Sequence, residues 1–190
     1  MNTICAPYKG AKIQDISQYY SETHQALDFC PLNPYGTSLV CPFEYGKINN
    51  MVDSDICSEN EDEMFRGFGI TIQECDKNGN LKSMYCGYWH TFSEFPFEKW
   101  DIVKRGDVVA YMGNSGDVFA GKPPIYVPLE CRESPNHPGT HLHCFFFILN
   151  EFKSRALLLS INLNRRSISN TDHCKAAIMR LGSVSIGPSR

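Results

Sequence analysis

Thr140-His-Leu-His-Cys-Phe-Phe-Phe-Ile-Leu149 is the stretch on which the fold turns. It holds ten residues without Gly or Pro, rich in aromatic and branched side chains, and reads as a β-strand. Within a strand, residues i and i+2 point to the same face, so His141 and His143 would project side by side. Two neighbouring imidazoles beside Phe145, Phe146 and Phe147 cost stability unless something binds them, and a zinc ion is the simplest compensation. The alternative is an edge strand whose histidines simply face water.

Strand patterns also fill the chain before this stretch. Gly36 to Pro42 and Tyr45 to Ile48 read as short strands punctuated by Pro and Gly. Phe68 to Gln73 and Leu81 to Trp89 read as a hairpin closed by Asp76-Lys-Asn-Gly-Asn80, and Asp107 to Met112 as a further strand before the turn Gly113-Asn-Ser-Gly116. No amphipathic helix is evident before residue 150; Phe92 to Ile102 holds a turn or two at most. The expected class is mainly β, with two long loops. One is an acidic run from Asp53 to Glu63, and the other is the Pro- and Gly-rich segment Asp117 to Pro138. The character shifts after Asn150. Residues 1–150 are read as the main domain and 151–190 as a C-terminal extension, with one more strand over Ala156 to Leu163.

Size and charge exclude several classes. A chain of 190 residues suits one domain with a real core. A net charge of -3 with no concentrated basic surface gives no case for nucleic acid. The apolar stretches are far shorter than the roughly 20 residues a membrane-spanning helix needs. The N-terminal residues show no basic segment leading into an apolar one, so no secretory signal is expected. The nine cysteines are odd in number, and none forms a C-x-x-C pair. They are read as mostly free, partly buried thiols and not as a structural zinc site.

Two further motifs matter. His24-Gln-Ala-Leu-Asp28 separates two metal-competent groups by four positions, which either a strand or a helical turn would set on one face. The following Cys30-Pro-Leu-Asn-Pro34 favours the extended or loop version. Taken singly, the pair reads as a surface ion pair before a metal site. His90, in Tyr88-Trp-His90, ends a strand and taken singly would be a half-buried histidine bonded to backbone. His137 and His173 are read as surface residues.

In order along the chain stand H-x-x-x-D (24–28), G-T-x-x-x-x-P-x-x-x-G-x-I (36–48), Y-x-H (88–90), G-x-x-V-x-x-x-G-N-S-G (106–116) and G-T-H-L-H (139–143). This ordered set resembles the lysostaphin-like (LytM-type) zinc metallopeptidases over roughly residues 6–149. The resemblance implies a curved antiparallel β-sheet of the lysostaphin type, built on a duplicated hybrid motif with long loops. It implies that His24, Asp28 and His143 bind one Zn2+ and that His90 and His141 are catalytic. It also implies peptide bonds of bacterial peptidoglycan, in stem peptides or cross-bridges, as substrate. Three departures from the family pattern, Ala26, Thr91 and Cys144, remove no ligand.

Three protein ligands leave a tetrahedral zinc one position for water, whose pKa falls toward about 7. One of His141 and His90 is then expected to take the water's proton and pass it to the leaving amine, and the other to donate a hydrogen bond to the oxyanion. The strand fixes His141 beside His143, which favours His141 as the base. The rival expectation is a non-catalytic relative that binds cell wall, activates a partner hydrolase or serves as a structural virion component. The expected context is a protein made in the cytoplasm that meets the cell wall after lysis, or as part of a phage tail or virion with other tail proteins as partners.

Overall fold

The computed structural model describes residues 4–21, 24–52, 67–116, 118–120, 125–126, 139–150, 153–156, 159–162 and 178–181. The acidic run 53–63, most of the 117–138 segment, His137, His173 and much of 151–190 therefore lie outside the described residues.

The described chain is mainly β and every ladder in it is antiparallel. Its strands are β1 (Ile16–Gln18), β2 (Leu27–Phe29), β3 (Ser38–Val40), β4 (Tyr45–Val52), β5 (Gly69–Cys75), β6 (Leu81–Trp89) and β7 (Ile102–Lys104). They continue with β8 (Val108–Tyr111), β9 (Phe119–Ala120), β10 (Ile125–Tyr126), β11 (Leu142–Asn150), β12 (Lys153–Ala156), β13 (Leu159–Asn162) and β14 (Ile178–Leu181). A single 3-10 turn at Ile13–Asp15 is the only helical element among the described residues. No helix among them is long and apolar enough to cross a membrane.

The main sheet runs β1-β2-β11-β6-β5-β4-β7, an open order with β1 and β7 at its edges. The stretch from Thr140 to Leu149 supplies its central ladder. β11 pairs along His143–Ile148 with β6, and its other edge is shared: β2 takes Leu142–Cys144 and β12 takes Phe147–Asn150. The strand expected over Ala156 to Leu163 is divided. Residues to Ala156 close onto β11, whereas β13 pairs with β14 in a separate two-stranded sheet. Phe92 to Ile102 holds turns and no helix.

Alternation along the central strands sorts the faces. Leu142, Cys144 and Phe146 of β11, Cys86 and Tyr88 of β6, and Ile70 and Ile72 of β5 all point into the core. Burying each of the larger ones contributes about 1.5–3 kcal/mol. The small β3–β8 sheet covers this face with Leu39, Val109 and Ala110. The Tyr88 hydroxyl donates to the Val40 carbonyl at 2.8 Å and so ties the two sheets together. The tyrosine of the Y-x-H motif is thus a core tie, while the opposite face of the sheet carries the histidines.

Candidate metal centre

The site is assembled by strand register. His143 stands directly opposite Asp28 in the β2–β11 ladder and opposite Trp89 on its other side. Its Nδ1 lies 3.1 Å from Asp28 Oδ1. His24 precedes β2 in a turn where its N–H donates to Ser21 Oγ at 3.0 Å, and this brings His24 Nε2 to 3.2 Å from Asp28 Oδ2. The pair His24–Asp28 is therefore neither one strand nor one helical turn, because a tight turn feeds a three-residue strand.

His141 and His90 complete a cluster of four imidazoles around one carboxylate. Ring centroids are 4.6 Å apart for His90–His141, 5.0 Å for His24–His143 and 6.0 Å for His90–His143. His141 lies one residue before the β11 ladder begins, yet its Nε2 reaches to 3.9 Å from Asp28 Oδ2. His90 directly follows β6 with φ +63°, a left-handed conformation uncommon outside glycine and a form of strain met at functional sites. Its carbonyl accepts from Gly113 N–H at 2.8 Å, which holds the turn.

Both of these histidines are oriented by main-chain carbonyls. His90 Nδ1 donates to Ser115 O at 2.7 Å, and His141 Nδ1 donates to Gly139 O at 2.6 Å. A carbonyl can only accept, so the proton sits on Nδ1 and the Nε2 lone pair is left free. Ser115 is itself fixed: its hydroxyl donates to Thr91 O at 2.7 Å and accepts from Phe68 N–H at 2.9 Å. The sequence marked Gly113-Asn-Ser-Gly116 as a turn and as part of an ordered motif, with no role for Ser115. Its spacing gave no sign that Ser115 would orient His90 from 25 residues away.

Burial and charge set the protonation states. Burial would raise the pKa of Asp28, but hydrogen bonds from His143 and His24 outweigh it and hold the carboxyl well below the usual range. The Asp28 hydrogen bond raises His24 in turn, against the effect of burial. Burial pushes His90 well below an ordinary histidine, and neighbouring His141 adds to the shift. Burial also lowers His141, partly offset by the charge of Asp28.

His24, Asp28 and His143 fit a metal ion. Their ligand atoms all lie within 4.8 Å of one another. A tetrahedral zinc with bonds of about 2.0–2.1 Å separates its ligand atoms by about 3.3 Å, close to the 3.1 and 3.2 Å contacts that converge on Asp28. The Asp28 side chain is only 10% exposed, and among the described residues its ion-pair partners are imidazoles, with no lysine or arginine. A buried anion whose ion-pair partners are all imidazoles, themselves capable of ligating a metal, is well matched to a cation. Six cysteines among the described residues are free thiols, five of them buried, and none joins this cluster.

No protein-family model and no curated protein matches the sequence. Solved structures similar to the chain include a protein from Pseudomonas aeruginosa described as a peptidase of the M23 type, 18% identical over 77% of this chain and 45% of that one, with a TM-score of 0.47. A zinc-containing peptidase from Vibrio cholerae is 16% identical over 82% of this chain and 39% of that one, with a TM-score of 0.46. The catalytic domain of lysostaphin from Staphylococcus simulans is 18% identical over 75% of this chain and 84% of that one, with a TM-score of 0.43. The chain spans less than half the length of the first two.

Proposed function

We propose that the chain is a zinc-dependent endopeptidase of the lysostaphin-like type, hydrolysing peptide bonds of bacterial peptidoglycan. The single observation that carries this reading is the convergence of His24 and His143 on buried Asp28, with two carbonyl-oriented histidines beside them. His24, Asp28 and His143 would hold the ion. When bound, zinc supplies a Lewis acid that polarises the carbonyl of the bond to be cut and acidifies water at neutral pH.

The remaining chemistry belongs to the chain. His141 presents a bare Nε2, fixed by Gly139, to take a proton from the attacking water. Asp28, 3.9 Å from that nitrogen, stabilises the imidazolium that results, so His141 is the better base of the two. His90 is more completely desolvated and lacks so close a carboxylate, which keeps it neutral at rest. With Nδ1 committed to Ser115, His90 can donate to a developing oxyanion only through a proton gained at Nε2. At 4.6 Å between ring centroids the two imidazoles repel a second charge, so the pair passes one proton between water, oxyanion and leaving amine.

The test is direct. Protein loaded with zinc is incubated with purified cell walls, and new amino groups are measured with mass spectrometry of the released fragments. Release that disappears on chelation and returns with zinc supports the reading. Walls left intact by protein that does hold one zinc per chain would overturn it in favour of a binding or structural role. Detection of the chain in purified virions, against its presence only in lysates, decides where the enzyme meets the wall.

A further inference from the structure

On its β2 side, half-buried His143 is bounded by Asp28, 3.1 Å from its Nδ1, and by the ring of His24 at 5.0 Å. On the other side stand rings that can ligate nothing. Phe145, two residues on along β11, meets the imidazole edge-on, with centroids 6.3 Å apart and planes at 66°. Trp89, the cross-strand partner of His143 on β6, stacks on Phe145 at 6.4 Å and within 25° of parallel. Phe147 closes on Phe145 at 4.9 Å. Phe145 is therefore buried, yet it alternates with Cys144 and Phe146 and stands outside the core cluster to which they belong.

Two glycines in neighbouring strands let these rings lie against the backbone. Gly87 of β6 is opposite Phe145, and Gly69 of β5 is opposite Trp89. Neither has a positive φ, so room and not backbone conformation calls for glycine. A Cβ at Gly87 would lie 1.9 Å from the Phe145 ring, and one at Gly69 would lie 2.1 Å from the indole. Glycine weakens a strand interior, and close approach of another group is the usual reason for it. Each ring is confined by backbone beneath it and by a second ring beside it. A confined planar ring makes a fixed wall, whereas a branched aliphatic chain of similar volume would leave gaps and settle in another rotamer.

We infer that Phe145 and Trp89 are positioning residues for the metal centre. Their stack over Gly87 and Gly69 holds the imidazole of His143 in the orientation that aims it, with His24 and Asp28, at one ion. The inference rests on the zinc reading above and adds to it the groups that set the ligand's geometry. His90 and His141 are oriented through Nδ1 by main-chain carbonyls, but Nδ1 of His143 faces Asp28. Packing takes the place of the carbonyl at His143. Outer-shell support of a ligating histidine is worth about 10–100-fold in metal affinity, and locked packing can supply it.

The experiment measures zinc affinity by chelator competition, and the visible spectrum of the Co2+-loaded protein, on variants that circular dichroism shows to be folded. Phe145→Leu and Gly87→Ala are each expected to weaken zinc about 10-fold and to alter the cobalt spectrum, with all three ligands still present. Gly87→Ala acts by displacing the Phe145 ring, so it should add little in Phe145→Leu protein. Trp89→Leu should weaken zinc similarly, and Trp89→Phe should recover most of the affinity. The phenyl ring keeps the stack, and the indole N–H it removes has no hydrogen-bond partner among the described residues. Parental affinity and spectrum in folded Phe145→Leu or Trp89→Leu would overturn the inference, as would independent, additive losses from Gly87→Ala and Phe145→Leu. Should Phe145→Leu fail to fold, the two Trp89 variants decide. Unaltered protein that takes up no zinc counts against the metal centre itself. The His143 ring signals in nuclear magnetic resonance of the metal-free protein then carry the test: broadening in Trp89→Leu that Trp89→Phe reverses supports the holding role, and unchanged signals overturn it.

Discussion

The Nδ1 of His143 lies 3.1 Å from Oδ1 of Asp28 because the two residues face each other across the β2–β11 ladder, 115 positions apart in sequence. Backbone pairing is thus what sets two of the three candidate ligands at bonding distance. The third, His24, is brought in by the turn at Ser21.

Removal of a ligand should remove the metal. Unaltered protein is expected to bind one zinc per chain, and Asp28→Ala or His143→Ala to weaken binding by more than about 100-fold, beyond what loss of an outer-shell partner costs. Metal analysis after dialysis against a competing chelator measures this. Retention of stoichiometric zinc by His143→Ala would remove the site from this position.

Proton transfer and metal binding should separate. His141→Ala is expected to keep its zinc and lose about 10²–10⁴-fold in kcat, the usual contribution of a positioned general base. His90→Ala should also keep its zinc. Loss of zinc from His141→Ala, read by the same dialysis, would contradict the division of roles.

Ser115 should act through His90. Its hydroxyl joins Thr91 O and Phe68 N–H, and its carbonyl holds His90 Nδ1. Ser115→Ala leaves buried polar groups without a partner and should cost about 1–3 kcal/mol in denaturant unfolding. It should lower kcat about 10-fold through a looser His90 while zinc stoichiometry stays at one. A variant as stable as the parent would show that the hydroxyl bridge does not hold the loop.

Acid should destabilise the metal-free protein in part through His90. Its folded pKa lies well below the ordinary value of 6.5, chiefly from burial. Above pH 6.5 the imidazole is neutral in both states and contributes no slope. Below pH 6.5 the unfolded chain binds a proton that folded His90 refuses, so stability falls by up to about 1.36 kcal/mol per pH unit until the folded pKa is reached. His141, also lowered, acts in the same direction, whereas raised His24 acts oppositely. His90→Asn keeps a donor for Ser115 and cannot titrate, so its urea midpoint should fall less steeply between pH 6.5 and 4.5 than that of the parent. Parallel slopes would remove His90 as the cause.

Much of this fold was legible because strand formation depends on local pattern. The hairpin around Asp76–Asn80 and the long strand ending at Asn150 follow from aromatic and branched runs bounded by turn residues. The boundary at Ala156 was not legible. Which sheet a short strand joins depends on the free edge left by its neighbours, and here β2 leaves the far half of β11 for β12 to complete. The histidines were legible as residue types at suggestive spacings. Their tautomers were not, since Ser115 O and Gly139 O are main-chain groups that no side-chain motif announces.

The sequence by itself determined a mainly β chain and the identities of the five residues that cluster, because alternation and ordered motifs are written in one dimension. Only the tertiary structure decided that His24, Asp28 and His143 converge, that His90 and His141 lie beside them with Nδ1 held by main-chain carbonyls, and that Trp89 and Phe145 lie flat over Gly69 and Gly87. Each of these depends on cross-strand register, and register is fixed by pairing between segments distant in sequence.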